Sequence, residues 1–222
     1  MGRTSYPSSK PVKGLSMWTR LGAVALVAGA LPAVWWYVRA TGSEGPALPV
    51  LEAAPDFTLC DQDGRRVGLA DFPGRAKVLS FFYIRCSDAR ACPMTTRHFR
   101  RLQQALGEEL GRRVVLLLIT LDPEADSPGA LKKYGQLYQA DFRNWHFLTG
   151  TRTEIEAVCR DYQIVAEPQP DGSLRHSVIT FLVDPENRIR RLYVANAWEP
   201  EELRCDLETL LGQNPGSSET EP

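Results

Sequence analysis

Apolar runs and apolar positions at helical spacing alternate along the chain after residue 50. The runs predict five strands, at residues 77–83, 113–121, 145–148, 177–183 and 188–193. The helical spacing predicts four helices, from Cys92 to about Leu110, Ser127 to about Tyr138, Thr151 to about Tyr162 and Glu199 to Leu211. Strands that alternate with helices and end in an antiparallel pair predict an α/β sandwich.

A β-hairpin is expected before the first of these strands. Residues 57–60 and 65–69 flank the sequence Asp61-Gln62-Asp63-Gly64, in which Asp-Gly favours a tight turn. The folded domain should therefore span residues 51–212. Residues 39–50 are rich in Gly, Ser and Pro and predict a linker, and the polar residues 213–222 predict a disordered tail.

An uncharged stretch of 18 residues, 21–38, precedes the linker and is long enough to cross a bilayer as one helix. Trp18 lies before it and residues 35–37 (Trp-Trp-Tyr) lie at its far end, as in the aromatic belts of membrane helices. A cleaved signal peptide is the alternative, but Val38-Arg39-Ala40 is a poor cleavage site. We therefore predict a single transmembrane anchor.

The charge distribution orients this anchor. Residues 1–40 hold five basic and no acidic side chains, and four of the five precede the uncharged stretch. Residues 1–20 are therefore expected in the cytoplasm and the domain in the periplasm of a bacterial inner membrane. A mitochondrial inner-membrane protein would share this topology. The rest of the chain holds 21 basic and 27 acidic residues and no basic stripe interleaved with aromatics, which excludes a nucleic-acid partner.

Two cysteines lie between the predicted strand at 77–83 and the helix that follows it. Cys86 lies just after the end of the strand, at the start of a loop, and Cys92 precedes Pro93, a residue favoured in the first turn of a helix. The helix N-terminus, together with Arg85 and Arg90, should lower the pKa of these thiols. Two thiolates and the imidazole of His176 form a soft ligand set that suits Cu(I), and the thiols could also close reversibly into a disulfide.

The chain resembles the Sco/SenC family in several blocks that occur in the family's order. These blocks are APDFTL at 54–59, FYIRCSDARACPMTT at 82–96, LDPEADSP at 121–128, WHFLTG at 145–150 and HSVITFLVDP at 176–185. The resemblance covers about residues 55–211. It implies a thioredoxin-like fold on a membrane anchor and a copper-binding chaperone that assists assembly of the copper centre of a cytochrome c oxidase, with that copper-site subunit as partner.

The resemblance also implies site residues. The family's two copper-binding cysteines match Cys86 and Cys92, which would also be its redox pair, and the copper-binding histidine matches His176, which is placed at the start of a strand. Asp122 matches an Asp-Pro tract and is expected on the same rim. The family pattern is Cys-x-x-x-Cys-Pro, whereas five residues separate the cysteines here, so the loop is two residues longer. The oxidation state of the copper, Cu(I) or Cu(II), is left open.

Each of these residues also has a structural interpretation. Cys86 and Cys92 could form a permanent disulfide, and Asp122 could be a turn residue. A lone histidine in the position of His176 is more often a satisfied structural side chain than a ligand. His98 and His146 are expected to be structural or solvated. The remaining cysteines are expected to be small buried side chains, with at least one of them unpaired: Cys60, Cys159 and Cys205.

Several functions remain after these observations. A copper chaperone is the first, a thiol-disulfide oxidoreductase that acts on client cysteines without stable copper binding is the second, and a copper or redox sensor is also left open. A peroxidase of the peroxiredoxin type would carry Thr three residues before its reactive cysteine, where this chain has Tyr83 or Ala89. The Cys-x-x-Cys motif of general thioredoxins is absent from the sequence.

Overall fold

The computed structural model describes residues 47–212. Its strands are β1 Glu52–Ala53, β2 Thr58–Cys60, β3 Arg66–Gly68, β4 Ala76–Phe82, β5 Val114–Thr120, β6 Trp145–Leu148, β7 Ala166–Pro168, β8 Leu174–His176, β9 Ile179–Val183 and β10 Arg188–Val194. Its main helices are α1 Cys92–Leu106, α2 Pro128–Leu137, α3 Arg152–Asp161 and α4 Pro200–Gly212. Short helical segments lie at Leu69–Asp71 and Glu109–Arg112.

Six strands form one mixed sheet in the order β1-β10-β9-β4-β5-β6. The strands β4, β5 and β6 are parallel, and β9, β10 and β1 add to the sheet in antiparallel pairs. Every residue of β4 and β5 is buried, because structure covers both faces of the sheet. This burial explains why both strands were recognisable as continuous apolar runs.

The two faces of the sheet are covered by different helices. Successive side chains of a strand point to opposite faces, so the side chains of Phe81 and Phe82 contact the helices on the two opposite faces of the sheet. The Phe82 ring packs against Tyr134 of α2, and the Phe81 ring packs against Tyr162 at the end of α3. Helices α1 and α4 pack against each other. The predicted α/β sandwich is confirmed.

The predicted N-terminal hairpin is present as β2 and β3, which pair antiparallel. Its turn depends on Gly64, whose φ of +81° is a conformation that glycine adopts without steric cost. The carboxylate of Asp61 closes the turn by accepting hydrogen bonds from the backbone N–H groups of Asp63 and Arg65, at 2.8 and 2.9 Å. The Asp-Gly signal therefore predicted this hairpin correctly.

Two predicted boundaries are wrong. The helix after Cys92 ends at Leu106 rather than Leu110, because Gly107 adopts a φ of +50° that a helix cannot continue through. His176 does not open the strand that follows it. It is the last residue of β8, in a separate two-stranded hairpin with β7, and the next strand begins at Ile179.

The predicted membrane segment at 21–38, its flanking residues 1–20, most of the linker and the tail at 213–222 lie outside the described residues. Within residues 47–212, no helix has the length and apolar character needed to span a bilayer.

Candidate metal centre

The two cysteines of the predicted site lie on either side of the junction between β4 and α1. Cys86 is half-buried in the loop, and Cys92 is the buried first residue of α1. The extra residues of the loop form a turn of their own, in which Asp88 accepts hydrogen bonds from the backbone N–H groups of Arg90 and Ala91. The lengthened loop therefore folds back and leaves the two sulfurs close together.

The third predicted ligand, His176, comes to the same place from the end of β8. Its Nε2 atom lies 3.8 Å from Cys86 Sγ and 3.5 Å from Cys92 Sγ. The three potential ligand atoms all lie within 4.8 Å of one another. No other group of three metal-ligating side chains converges in this way within residues 47–212. The structure thus brings together all three residues that the resemblance implied.

The two thiols share one proton unequally. A hydrogen bond from the Cys92 thiol lowers the pKa of Cys86 from its ordinary value of 9.0 to about 4. The same interaction with the Cys86 thiolate, together with burial, raises the pKa of Cys92. The expectation that the helix N-terminus makes Cys92 a thiolate is therefore wrong for the metal-free reduced pair, because the negative charge lies on its more exposed neighbour.

Tyr83 contacts every part of this site. Its backbone N–H points at Cys92 Sγ from 3.4 Å, and its hydroxyl oxygen accepts a hydrogen bond from the backbone N–H of Leu174 at 3.2 Å. Its ring meets the His176 ring edge-on, with 5.5 Å between centroids. In the sequence, Tyr83 bears only on the exclusion of a peroxidase, and its place three residues before Cys86 is the only signal of this role.

Asp122 lies on the same rim as the cysteines but outside the converging group. Its carboxylate is paired with the exposed Arg85 guanidinium at 2.7 Å, so part of the positive charge that Arg85 brings to the loop is offset by Asp122. Asp126, which no sequence motif marks as part of the site, is buried and accepts a hydrogen bond from the Ile84 backbone N–H at 3.1 Å. The start of the cysteine loop is therefore attached to the Asp-Pro tract by both aspartates.

The other histidines lie elsewhere. His98 is buried on α1, where its ring stacks edge-on against Trp198 with centroids 4.6 Å apart. His146 packs against Phe72 and lies 3.6 Å from the Asp61 carboxylate. Burial lowers the pKa of both imidazoles. Both are structural, as the sequence predicted.

The remaining cysteines are also outside the site. No disulfide is present among residues 47–212, which hold all five cysteines. Cys159 is buried, and burial raises its pKa to about 11, so its thiol is a poor nucleophile. Cys60 is partly buried. The expectation of burial is wrong for Cys205, which is exposed because it lies on the outward side of α4.

Comparison with known proteins places this geometry in a family. The SCO1/SenC family model matches residues 48–212. The SCO1 protein homolog of Bacillus subtilis is 31% identical over 163 residues, which are 72% of this chain and 83% of the relative.

Two solved structures match the described fold. The copper-bound structure of Bradyrhizobium japonicum ScoI has a TM-score of 0.62 and 26% identity, over 71% of this chain and 99% of that one. BsSco has a TM-score of 0.65 and 27% identity, over 76% of this chain and 98% of that one. BsSco is described as a member of the Sco family of cytochrome c oxidase assembly proteins with a disulfide switch.

Proposed function

Because this chain belongs to the SCO1/SenC family, we propose that it binds copper through Cys86, Cys92 and His176 and delivers it to the copper-site subunit of a cytochrome c oxidase. The observation that carries this proposal is the convergence of two Sγ atoms and one Nε2 atom within 4.8 Å. The protein is a thioredoxin-like α/β sandwich in which this group lies at the surface end of a buried strand.

The donor set fits copper as cargo. Two thiolates with one imidazole are soft ligands that favour Cu(I) over harder cations such as Mg²⁺ or Ca²⁺. Metal ligands must be deprotonated, so uptake displaces one proton from the pair, that of Cys92, because Cys86 is already ionised near neutral pH. Partial exposure of Cys86 leaves one ligand accessible to an incoming donor from the client.

The relatives support the same assignment. ScoI of Bradyrhizobium japonicum has been solved with copper bound, and BsSco belongs to a family of oxidase assembly proteins. The lengthened cysteine loop does not remove the ligand cluster, so it is compatible with copper binding here.

Copper loading is coupled in this proposal to the oxidation state of the pair. Closing a Cys86–Cys92 disulfide transfers two electrons to an oxidant, releases the one proton that the pair holds and consumes both sulfur ligands. Copper is therefore held only by the reduced pair. Reduction by a thiol donor restores the site.

A second candidate is a thiol-disulfide oxidoreductase, and the lowered pKa of Cys86 favours it. The Cys86 thiolate would attack a disulfide of the client, releasing one client thiolate and forming a mixed disulfide. Cys92 would then lose its proton and attack Cys86 Sγ, releasing the second client thiol and closing the Cys86–Cys92 disulfide. This function needs the two cysteines but not His176.

We also propose a subcellular location for this site. Residues 21–38 would anchor the chain in a bacterial inner membrane, with the metal centre in the periplasm. The test is protease treatment of spheroplasts, followed by alkaline extraction of the membranes. Digestion of the domain from outside, with residues 1–40 retained in the membrane, is expected. A domain that protease reaches only after lysis would refute the orientation.

Copper affinity of the full-length chain tests the proposed function. The reduced protein is titrated anaerobically with Cu(I) in competition with a chromophoric chelator, beside Cys86→Ser and Cys92→Ser, with Cys205→Ser as the matched control. One tightly held copper is expected in the wild type and in Cys205→Ser and should be lost in the other two. A wild type that takes up no copper but forms a reversible Cys86–Cys92 disulfide would overturn the chaperone in favour of the oxidoreductase.

A further inference from the structure

The turn that follows β10 contacts both halves of the metal centre. The backbone N–H of Ala195 donates to the carbonyl oxygen of Val178 at 2.8 Å, and Val178 lies two residues after His176. The side chain of the next residue, Asn196, crosses to the end of the cysteine loop. Two successive residues therefore join the segment that carries the histidine to the segment that carries Cys92.

All of the hydrogen-bonding groups of the Asn196 side chain are used in this contact. Its Nδ2 atom lies 3.1 Å from the carbonyl oxygen of Arg90 and 3.0 Å from that of Ala91. Its Oδ1 atom lies 3.0 Å from the hydroxyl of Thr95, on the first turn of α1. The amide has two donor hydrogens for three oxygens, because Nδ2 also lies 2.9 Å from the Thr95 hydroxyl. That hydroxyl lies within donating distance of both Oδ1 and the Ala91 carbonyl oxygen.

These carbonyls belong to the two residues immediately before Cys92. Ala91 is the N-cap of α1, and an alanine has no side-chain oxygen with which to cap a helix. The Asn196 amide does not replace that cap, because it donates to carbonyls instead of accepting from the helix N–H groups, but it ties the loop–helix junction to the turn after β10. Because Cys92 is the next residue, the same contact sets where its sulfur lies relative to His176.

The backbone of this turn is held in an unfavourable conformation. Ala195 has a φ of +57° and Asn196 a φ of +51°, and such values are sterically unfavourable for an L-residue. Asparagine tolerates the left-handed region better than most residues, but alanine has no such tolerance. Strain of this kind persists where the surrounding contacts require one geometry, and here those contacts lead to the metal centre.

We infer that Asn196 is a positioning residue of the metal centre, which fixes the distance between Cys92 Sγ and His176 Nε2 by clamping the carbonyls of Arg90 and Ala91. The inference rests on the proposed copper-binding function. The amide touches neither ligand, so it acts through the backbone that precedes Cys92.

The test compares Asn196→Gly with Ala195→Gly in the full-length reduced chain. Glycine accepts a positive φ, so each variant relieves strain in the same turn, but only Asn196→Gly removes the amide. Asn196→Gly should lose about tenfold or more in Cu(I) affinity, the usual cost of removing an outer contact of a metal site, while its melting temperature stays near that of the wild type. Ala195→Gly should keep the affinity.

Alkylation of Cys92 in the metal-free chain is the second measurement, and it separates the clamp from the proposed function. Buried Cys92 should react faster in Asn196→Gly than in Ala195→Gly, because only the first variant frees the loop–helix junction. Wild-type affinity in Asn196→Gly, or equal losses in both variants, would overturn the clamp. If the wild type binds no copper, the proposed function fails, and alkylation alone decides: a faster Cys92 reaction in Asn196→Gly supports the clamp, and equal rates refute it.

Discussion

The Nδ1 atom of His176 lies 2.9 Å from the carbonyl oxygen of Ser177. A carbonyl oxygen can only accept, so Nδ1 carries the hydrogen and the lone pair of the neutral ring is on Nε2. Nε2 is the atom that faces both sulfurs. One backbone contact therefore selects the tautomer that a metal ligand requires.

Replacing His176 should separate metal binding from thiol chemistry. His176→Ala removes one of three ligands, so copper affinity should fall by at least about 100-fold, beyond the usual range for an outer contact. The Cys86–Cys92 disulfide should still form, since both sulfurs remain. The measurements are Cu(I) competition and free-thiol counting after oxidation, with His98→Phe as the control that loses a histidine outside the site. Unchanged affinity in His176→Ala would exclude the imidazole as a ligand.

The sequence predicted the parts of this molecule that depend on local pattern. The strands β4 and β5 were visible because both are buried on both faces, and the Asp-Gly turn revealed the β2–β3 hairpin. The β7–β8 hairpin was missed because each strand has only three residues and none of the six is buried, so the sequence shows no alternation of apolar and polar positions there. That miss also misplaced His176 at the start of a strand.

The hydrogen bonds and charges around the ligands could not be predicted, although Asp122 lies on the rim where it was expected. The contact of Asn196 with the cysteine loop joins residues more than 100 positions apart, and no local spacing reports such a contact. The division of charge between Cys86 and Cys92 depends on which thiol is more buried after folding. Both features follow from tertiary packing, which a single sequence does not display.

The thiolate of Cys86 predicts an unusual pH dependence of alkylation. Its pKa is lowered to about 4, chiefly by the hydrogen bond from Cys92, so it is ionised at every pH above that value. Its reaction with iodoacetamide in the reduced metal-free chain should change little between pH 8 and pH 5.5 and fall only near pH 4. An ordinary thiol such as glutathione loses about tenfold per pH unit below its pKa.

Peptide mass spectrometry after timed alkylation measures this rate for Cys86 alone. Cys92→Ser is the informative variant, because a serine hydroxyl is a weaker partner for the thiolate than the shared thiol proton. The pKa of Cys86 should rise in that variant and the rate should begin to fall at a higher pH. A wild-type rate that drops as steeply as that of glutathione would contradict the sharing of one proton.

Asp126 should stabilise the start of the cysteine loop through hydrogen bonds rather than charge. One of its oxygens, Oδ2, accepts from both the Ile84 backbone N–H at 3.1 Å and the Thr120 hydroxyl at 2.5 Å. An asparagine carbonyl can accept both bonds, so Asp126→Asn should unfold at nearly the wild-type temperature at neutral pH. Asp126→Ala leaves two buried donors without a partner and should cost about 1–3 kcal/mol.

The pH dependence of stability distinguishes these two roles for Asp126. Burial raises the pKa of this carboxyl above 3.8 in the folded state, so the native chain binds the proton more tightly than the unfolded chain. The contribution of Asp126 to stability is then present at low pH and is lost as pH rises through the folded pKa. Urea unfolding between pH 4 and 7 should show the wild type losing stability relative to Asp126→Asn as pH rises. The opposite slope would show that the charge itself stabilises the loop.

A lysine lies in the centre of the sheet, within a strand whose other residues are mostly apolar. Lys77 of β4 has no exposed surface, and its Nζ donates to the Asn187 side chain in the β9–β10 turn at 2.5 Å. Burial lowers its pKa from 10.5 to about 8, although the carboxylates of Asp184 and Glu186 oppose the shift. Above pH 8 the folded protein therefore contains this amine in its neutral form.

Stability should consequently rise with pH in the window from 8 to about 10.5 through Lys77. In this window the unfolded chain binds a proton at Lys77 that the folded chain does not, and the free energy of unfolding gains up to roughly 1.4 kcal/mol per pH unit from this residue. Buried tyrosines, whose pKa values are raised, lower the stability of the fold as pH rises and so mask this gain. The test therefore compares the free energy of unfolding in urea of the wild type and of Lys77→Met at pH 8, 9 and 10. The free energy of unfolding of the wild type should increase relative to that of Lys77→Met as pH rises. The control Lys133→Met, which loses a lysine on α2, should show the same pH dependence of stability as the wild type. A constant difference across the three pH values would mean that Lys77 keeps its proton in the fold, held by Asp184 more strongly than burial disfavours it.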